Sequence, residues 1–522
     1  MSEGETASPA RLPGDAPVDG SALAAESAPA GLAPLPDLAL APVLAVAGLL
    51  TVVLIAFSAR YGYHRDELYF IASGKDLAWG YPDQPPLVPL VARLMTDLAP
   101  GSLVLLRLPS AIAGGALVVL TGLLTRELGG RRTAQVLAAA VIAAAPVVIG
   151  ASHLLSTTTF DLPAWALLSL ILLRILRTGH ARLWPVAGLV AGVALLDTDL
   201  VAFLIVAVVA GIGLAGPRRT FRSGWFYAGG AVALALWSPY LGWQASHGWP
   251  ELAVAHSIAA GNSGTSAPWW LIVPEQLVLV PVYFAPAWIT GLVRLFRDPA
   301  LRWCRAVGVA YPVLAVAFML TGGKPYYLAG MFPVLLAAGA QPTVGWATRG
   351  RHRSRLIAAG LVLSMLELPI TLPVLPVSVV HDTPIVALNY DAGETIGWPA
   401  FVAEIGAVYR SLPAPQRATA IVLTSNYGEA GAVDRFGRAD GLPAAYSGHN
   451  AFWYWGPPPA SATTAVVVGY ARAQLGFCRT VRLAAYLNNR QDVSDQEQGA
   501  PVWICQPDRS WAAIWPSQRY FG

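Results

Sequence analysis

Asp66, Glu67, Asp161 and Lys324 occupy positions where ionisable side chains are unusual. Asp66 and Glu67 follow the first long apolar segment, in Tyr61-Gly-Tyr-His-Arg-Asp-Glu-Leu-Tyr-Phe. A carboxylate beside an apolar slab is partly desolvated, which suits a general base that takes a proton from a hydroxyl. The alternative role for the pair is a helix cap facing water. Asp161 falls at the start of a later apolar segment, in Ser156-Thr-Thr-Thr-Phe-Asp-Leu-Pro. An ionisable group at membrane depth is costly and is a functional candidate by default, with an N-cap ahead of Pro163 as the structural alternative. The outer loop before it is short, so Asp161 is expected near Asp66. Lys324, in Gly322-Gly-Lys-Pro-Tyr-Tyr, is a lone cation on a stretch poor in positive charge. With Tyr326 and Tyr327 it can hold a lipid phosphate; the alternative is an interfacial anchor. Further substrate-binding candidates are Asp83 ahead of Pro85-Pro86, His247 and Trp249 in a long loop suited to a lid, and His449 in Ser447-Gly-His-Asn-Ala-Phe-Trp-Tyr-Trp. Asp83 also suits a turn. Aromatic faces interleaved with amides stack on sugar rings, and an aromatic core with satisfied polar tips produces the same pattern.

The elements that must position these residues are membrane spans. The chain has 522 residues, 55% of them hydrophobic and only 12% charged. Soluble domains carry roughly 25% charged residues, and a soluble chain of this length does not cover its surface with half that. Mean hydropathy is +0.53. Segments long enough to cross a bilayer are read at 38–58, 103–125, 134–150, 158–176, 184–197, 199–215, 225–243, 271–293, 306–320, 328–346 and 356–376. The pair 184–197 and 199–215 is short and close, as for two arms of a V with Asp197 and Asp199 at the vertex. Residues 1–37 are rich in Ala, Pro, Gly and Ser, which reads as a disordered tail.

Arginines mark every second connection: Arg126–Arg132, Arg174–Arg182, Arg218–Arg222, Arg294–Arg305 and Arg349–Arg355. The connections 151–157 and 244–270 contain no Lys or Arg. The positive-inside rule puts the first set in the cytoplasm. Eleven spans then leave the N-terminus inside and residues 377–522 outside a cell membrane. In 377–522, Ala420–Thr424 and Ala465–Gly469 read as buried strands and Phe401–Tyr409 as an amphipathic helix, so a small α/β domain is expected. Cys478 and Cys505 both fall there, where an oxidising compartment permits a disulfide, while Cys304 is expected free.

Taken together, Asp66-Glu67, Trp79-Gly-Tyr-Pro-Asp-Gln-Pro-Pro-Leu, Asp161, Gln244…His247-Gly-Trp-Pro, Gly323-Lys-Pro-Tyr-Tyr, Asn426-Tyr-Gly-Glu-Ala-Gly and Ser447-Gly-His-Asn resemble bacterial glycosyltransferase family 39, within the GT-C superfamily. Relatives include protein O-mannosyltransferases and the aminoarabinose transferase of lipid A. The resemblance runs in order from about residue 40 to about 460. It implies a GT-C transmembrane catalytic domain over 38–376, an extracytoplasmic α/β domain over 377–522 and a sugar donor on a polyprenyl phosphate. It also implies inversion at the anomeric carbon and a site on the outer membrane face. The family's acidic catalytic residue maps to Asp66, with Glu67 beside it, and a second acid maps to Asp161. Gln84 stands where many relatives have His, and Leu195-Leu-Asp-Thr-Asp stands where many have Lys and an aromatic. The second departure shifts phosphate binding toward Lys324. The expected partners are the donor, membrane lipids and an envelope glycan, lipid or protein acceptor, and no nucleic acid. No particular cofactor is implied, and a divalent cation stays open. The competing functions are a polyprenyl-lipid transporter or flippase, whose inverted repeats are not seen, and a non-catalytic glycan-binding assembly factor.

Overall fold

The structure, a computed structural model, describes residues 33–522. Residues 1–32 of the expected tail lie outside the described residues. The chain begins with α1 (Leu40–Phe57), α2 (Arg65–Lys75), α3 (Leu87–Leu98), α4 (Leu103–Glu127), α5 (Arg132–Ala143), α6 (Pro146–His153) and α7 (Thr157–Thr178). It continues through α8 (Trp184–Leu195), α9 (Leu200–Ala215), α10 (Gly224–Ser246), α11 (Pro250–Ala259) and α12 (Gln276–Leu279). The last helices of the bundle are α13 (Ala285–Arg297), α14 (Arg305–Thr321), α15 (Phe332–Ala347) and α16 (Arg351–Ser364).

Among the described residues, six helices are long and apolar enough to cross a bilayer. They match the expected spans at 38–58, 103–125, 158–176, 306–320, 328–346 and 356–376. A seventh, α5 with α6, bends by 59°, where Pro146 cannot continue the preceding hydrogen-bond ladder. The remaining four expected spans have different shapes. α8 and α9 are short apolar arms broken at 196–199, and α10 is a single helix of 23 residues. Residues 271–293 are not one helix: Pro274, Pro281 and Pro286 divide the segment into short turns before α13.

The bundle has two chemically distinct ends. At one end, Arg177 reaches Glu127 at 2.6 Å, the Arg126 Nε donates to the Pro36 carbonyl, and the Arg131 N–H donates to Gln341. The basic connections gather there. At the other end, Leu87 N–H donates to the Leu196 carbonyl at 2.9 Å, Gln244 donates to the Tyr81 carbonyl, and Arg60 donates to the Val374 carbonyl. The C-terminal domain sits on this second end. Its sheet runs β2 (Ala445–Ser447), β1 (Ala420–Thr424), β3 (Thr464–Val468), β5 (Pro501–Pro507), β4 (Cys478–Tyr486). The first three strands are parallel and the last two join antiparallel. Two of the three inner strands, β1 and β3, are buried along their whole length. Cys478 and Cys505 form a disulfide with Cα atoms 5.6 Å apart, and Cys304 is a buried free thiol.

The hydrophobic core does not divide at residue 377. One cluster joins Leu68, Tyr69 and Val88 of the first loop to Trp398, Phe401, Val402 and Val466 of the C-terminal domain. α2 therefore packs on the helix Tyr427–Phe436, and Gly431 allows that close approach because a Cβ there lies 2.9 Å from the Leu68 backbone. The first loop and the C-terminal domain are one packed unit capping the bundle.

Candidate active site

α2 positions the acidic pair. His64 caps it, and the Glu67 side chain accepts the His64 N–H at 2.9 Å, which closes a capping box. Residues Asp66 and Glu67 then diverge by about 100° around the helix. Glu67 turns inward and is 0% exposed. Arg107 of α4 holds it with two bonds of 2.8 and 2.7 Å, and the Leu155 N–H adds a third contact at 3.0 Å. Together these hold its carboxyl below the usual range against the opposing effect of burial. Glu67 is a clasp between the first loop, α4 and the turn before α7.

Asp66 turns outward, with its side chain 37% exposed. Its Oδ1 accepts the Tyr427 hydroxyl at 2.8 Å, a bond that spans the chain from the first loop to the C-terminal domain. Tyr427 is itself fixed from three sides: it stacks on Tyr69 at 4.6 Å, contacts the His449 ring at 4.6 Å, and lies under the Arg65 guanidinium at 4.9 Å. His64 stands between Asp66 and Asp391, with Nδ1 3.8 Å from Asp66 Oδ2 and Nε2 3.6 Å from Asp391 Oδ1. Burial pulls the His64 pKa down, but the flanking carboxylates outweigh it and lift the imidazole to about 9. Nδ1 also accepts the Asp66 N–H at 3.2 Å, a bond available to the neutral ring.

Lys324 follows Gly322, which ends α14 at φ +70°, a conformation that favours glycine. The Lys324 Nζ donates to Ser263 Oγ at 2.9 Å and lies 5.9 Å from the Tyr326 ring. Its charge acts on Asp391, and Tyr326 is within range of both Asp391 and Asp66. Asp66 and Lys324 therefore belong to one cluster of charged and aromatic side chains, with His64, Asp391 and Tyr326 between them. Tyr327 packs edge-on against Phe318 at 5.5 Å and lies within range of Lys324, Glu251 and Asp161.

The side chains around this cluster are acidic. Asp83 accepts from Tyr69 at 2.7 Å and from Asn450 at 2.9 Å, yet burial pushes its carboxyl up to about 6. Asp83 therefore does more than shape a turn: it ties the first loop to the C-terminal domain. Asp161 is not the cap of α7, since Ser156 takes that role. Asp161 is buried, its Oδ1 has no hydrogen-bond partner, and its neighbours are Trp165, Asp197 and Tyr327 rather than Asp66. Asp197 is 1% exposed with both oxygens unpartnered. Asp199 accepts the Tyr240 hydroxyl at 2.9 Å, and Glu251 lies 3.5 Å from that hydroxyl. Burial, with the charges of Asp199 and Asp83, raises Glu251 well above the ordinary carboxylate range. Gln84 is buried with both amide atoms unpartnered. Among the described residues, no three His, Cys, Asp or Glu side chains converge as a metal cage.

The other expected substrate contacts lie at the edge of the cluster or behind it. His247 is exposed and stacks on Trp243 at 4.0 Å, with Tyr454 edge-on at 5.7 Å. Trp249 occupies the left-handed region at φ 57° at the start of α11. His449 is buried behind Tyr427, stacked on Tyr520 at 4.2 Å, and burial with the Arg65 charge lowers it to about 3. The Trp453 and Trp515 indoles donate to each other's carbonyls, so much of the aromatic run is a core with satisfied polar tips. Sequence reasoning does not single out Asp391, Tyr427 or Glu251. Asp391 and Glu251 are ordinary acids in the sequence until the fold sets them beside His64 and Tyr240. Tyr427 belongs to the Asn426-Tyr-Gly-Glu-Ala-Gly motif, but nothing there marks the tyrosine itself.

Residues 83–243 match the model of the dolichyl-phosphate-mannose-protein mannosyltransferase family. None of the curated proteins matches the chain by sequence. In fold, the chain is similar to ArnT from Cupriavidus metallidurans bound to undecaprenyl phosphate, with TM-score 0.54 and 15% identity over 88% of this chain and 97% of that one. The apo crystal structure of the same ArnT gives TM-score 0.56 and 14% identity over the same shares, 88% and 97%. The chain is thus similar in sequence to the mannosyltransferase family over part of the bundle, and similar in fold to ArnT over the bundle and the C-terminal domain together.

Proposed function

We propose that the protein transfers a sugar from a polyprenyl-phosphate donor to a hydroxyl of a cell-envelope glycan, lipid or protein, with inversion, at the outer face of the plasma membrane. The observation that carries this reading is the cluster that links Asp66 to Lys324 through His64 and Asp391. An anionic carboxylate open to solvent on one side suits deprotonation of an acceptor hydroxyl. The acceptor oxygen bonds to the anomeric carbon, the bond from that carbon to the phosphate oxygen breaks, and the proton passes to Asp66. Lys324 holds the departing polyprenyl phosphate, with Tyr326 and Tyr327 beside it. Asp161, Asp83 and the outer C-terminal domain shape the sugar and acceptor sides.

Purified protein in proteoliposomes, supplied with polyprenyl-phosphate sugars, tests the donor contact. A charge-assisted hydrogen bond contributes about 1.5–3 kcal/mol, so Lys324→Ala is expected to raise the donor KM about 10- to 100-fold and change kcat less. An unchanged KM overturns the assignment of Lys324.

The reading also requires the site to face outward, with residues 38–376 in the membrane and 377–522 beyond it. Reporter fusions after Arg355 are expected to signal the cytoplasm and fusions after residue 390 the exterior. A cytoplasmic signal from the C-terminal fusions removes the cluster from the outer face.

A further inference from the structure

At the arginine-bearing end of the bundle, α7, α8, α9 and α10 enclose an apolar groove of about 320 Å³. Its cause is the packing of the two short arms. α8 lies backbone to backbone on α10: a Cβ at Gly188 meets the Gly229 carbonyl oxygen at 2.0 Å. α9 packs instead on α14. The arms therefore splay, and small residues such as Ala187, Ala191 and Gly230 leave the gap open. A Cβ at Gly230 meets no atom within 4 Å. The volume falls in the range of about 300–1,000 Å³ typical of small-ligand sites. The walls offer almost nothing that hydrogen-bonds, so a polar occupant loses its solvation without compensation and a hydrocarbon chain does not.

The mouth of the groove is basic and aromatic. The Tyr227 hydroxyl donates to the Phe221 carbonyl at 2.8 Å, which draws the turn Arg218–Arg222 across the groove's end. The Arg182 guanidinium lies 6.0 Å from the Trp225 ring, next to the lining residues Phe226 and Tyr227. Arg182, Arg222, Trp225 and Tyr227 are exposed, the composition of a headgroup-level belt. Neither 180–196 nor 200–250 contains an Asp or Glu. Neither segment supplies an acid that would repel an anion held at Arg182 and Arg222.

We propose that this groove binds one acyl chain of an anionic glycerophospholipid, whose phosphate is held at the mouth by Arg182 and Arg222. Basic pockets between membrane helices recognise anionic headgroups in this way, and arginine supplies paired donors to phosphate oxygens. The site is separate from the proposed donor site: its cations sit at the opposite end of the bundle from Lys324. The bound chain braces the two arms whose junction, at Asp197 and Asp199, adjoins the first loop through the Leu87–Leu196 hydrogen bond.

The test uses the full chain, purified in mild detergent and stripped of lipid, then offered equimolar phosphatidylglycerol and phosphatidylcholine with identical chains. Native mass spectrometry reads the lipid retained. One phosphatidylglycerol per chain is expected, favoured at least 10-fold over phosphatidylcholine. Gly230→Leu fills the groove without a backbone clash and is expected to abolish retention. Gly242→Leu, on the same helix, outside the groove and equally unobstructed, is expected to retain lipid. The double variant Arg182→Glu, Arg222→Glu is expected to remove the preference for the anionic lipid. Equal retention of both lipids by the unmodified protein overturns the proposal, as does full retention by Gly230→Leu. Stoichiometric displacement of phosphatidylglycerol by polyprenyl phosphate also overturns it, and assigns the groove to the donor's tail.

Discussion

Asp66→Asn is expected to lower turnover about 10²- to 10⁴-fold, the range general-base assistance contributes, while donor lipid still binds. The substitution keeps the shape of the side chain and removes its charge. The carbonyl oxygen of the new amide still accepts the Tyr427 hydroxyl, which in the unmodified protein lies 2.8 Å from Asp66. The junction between the first loop and the C-terminal domain therefore survives. What is lost is the group that takes the acceptor's proton as the new glycosidic bond forms. Two nearby carboxylates, Glu67 and Asp83, do not substitute for it. Glu67 is sealed against Arg107, and Asp83 spends both oxygens on Tyr69 and Asn450. Transfer is measured with the purified variant in proteoliposomes, alongside donor binding and thermal unfolding. Wild-type turnover in a folded Asp66→Asn protein shows that the base lies elsewhere, with Asp161 the next residue to examine.

The parts of this site that are legible in the sequence share one property: they are placed by membrane insertion or by local helix geometry. Asp66 and Lys324 stand out because each breaks a local pattern, an acid just past an apolar segment and a cation on a face without others. The capping box and the divergence of Asp66 from Glu67 follow from a few neighbouring residues. The partners that fix the site come from far along the chain. Tyr427 lies 361 positions from Asp66, and no local signal marks a tyrosine that reaches across two structural units. The core shared by the first loop and residues 398–504 is hidden from the sequence for the same reason. A change of composition at residue 377 marks where the membrane spans end, and packing does not follow it. The broken segment 271–293 carries its prolines openly, but its hydrophobicity suggests one span. The acidic wall formed by Asp197, Asp199 and Glu251 arises because the short arms α8 and α9 bring their junction up to the start of α3.

The pair Glu67–Arg107 determines whether this cap assembles, and its loss is expected to cost more stability than any other single change at the site. Arg107 is 1% exposed and also donates to the carbonyls of Ser58 and Gly62, at 2.8 and 2.7 Å. Arg107→Met removes the cation and leaves Glu67 charged, buried and facing orphaned carbonyls. Breaking a buried ion pair from one side costs about 3–5 kcal/mol, so a large fall in the unfolding midpoint and in yield is expected. The double variant Glu67→Gln, Arg107→Met separates the charge from the scaffold. The N–H groups of His64 and Leu155 meet different oxygens of Glu67, at 2.9 and 3.0 Å, so the neutral amide keeps one of them on its carbonyl oxygen and loses the other. Removing the stranded charge should therefore return part of the lost stability, with a remainder of about 1–3 kcal/mol for each group left unsatisfied, the carbonyls and the N–H without an acceptor. Thermal unfolding of the three proteins in the same detergent reads the result. If the double variant is no more stable than Arg107→Met, the cost lies in the lost carbonyl contacts of Arg107 and not in the stranded charge of Glu67.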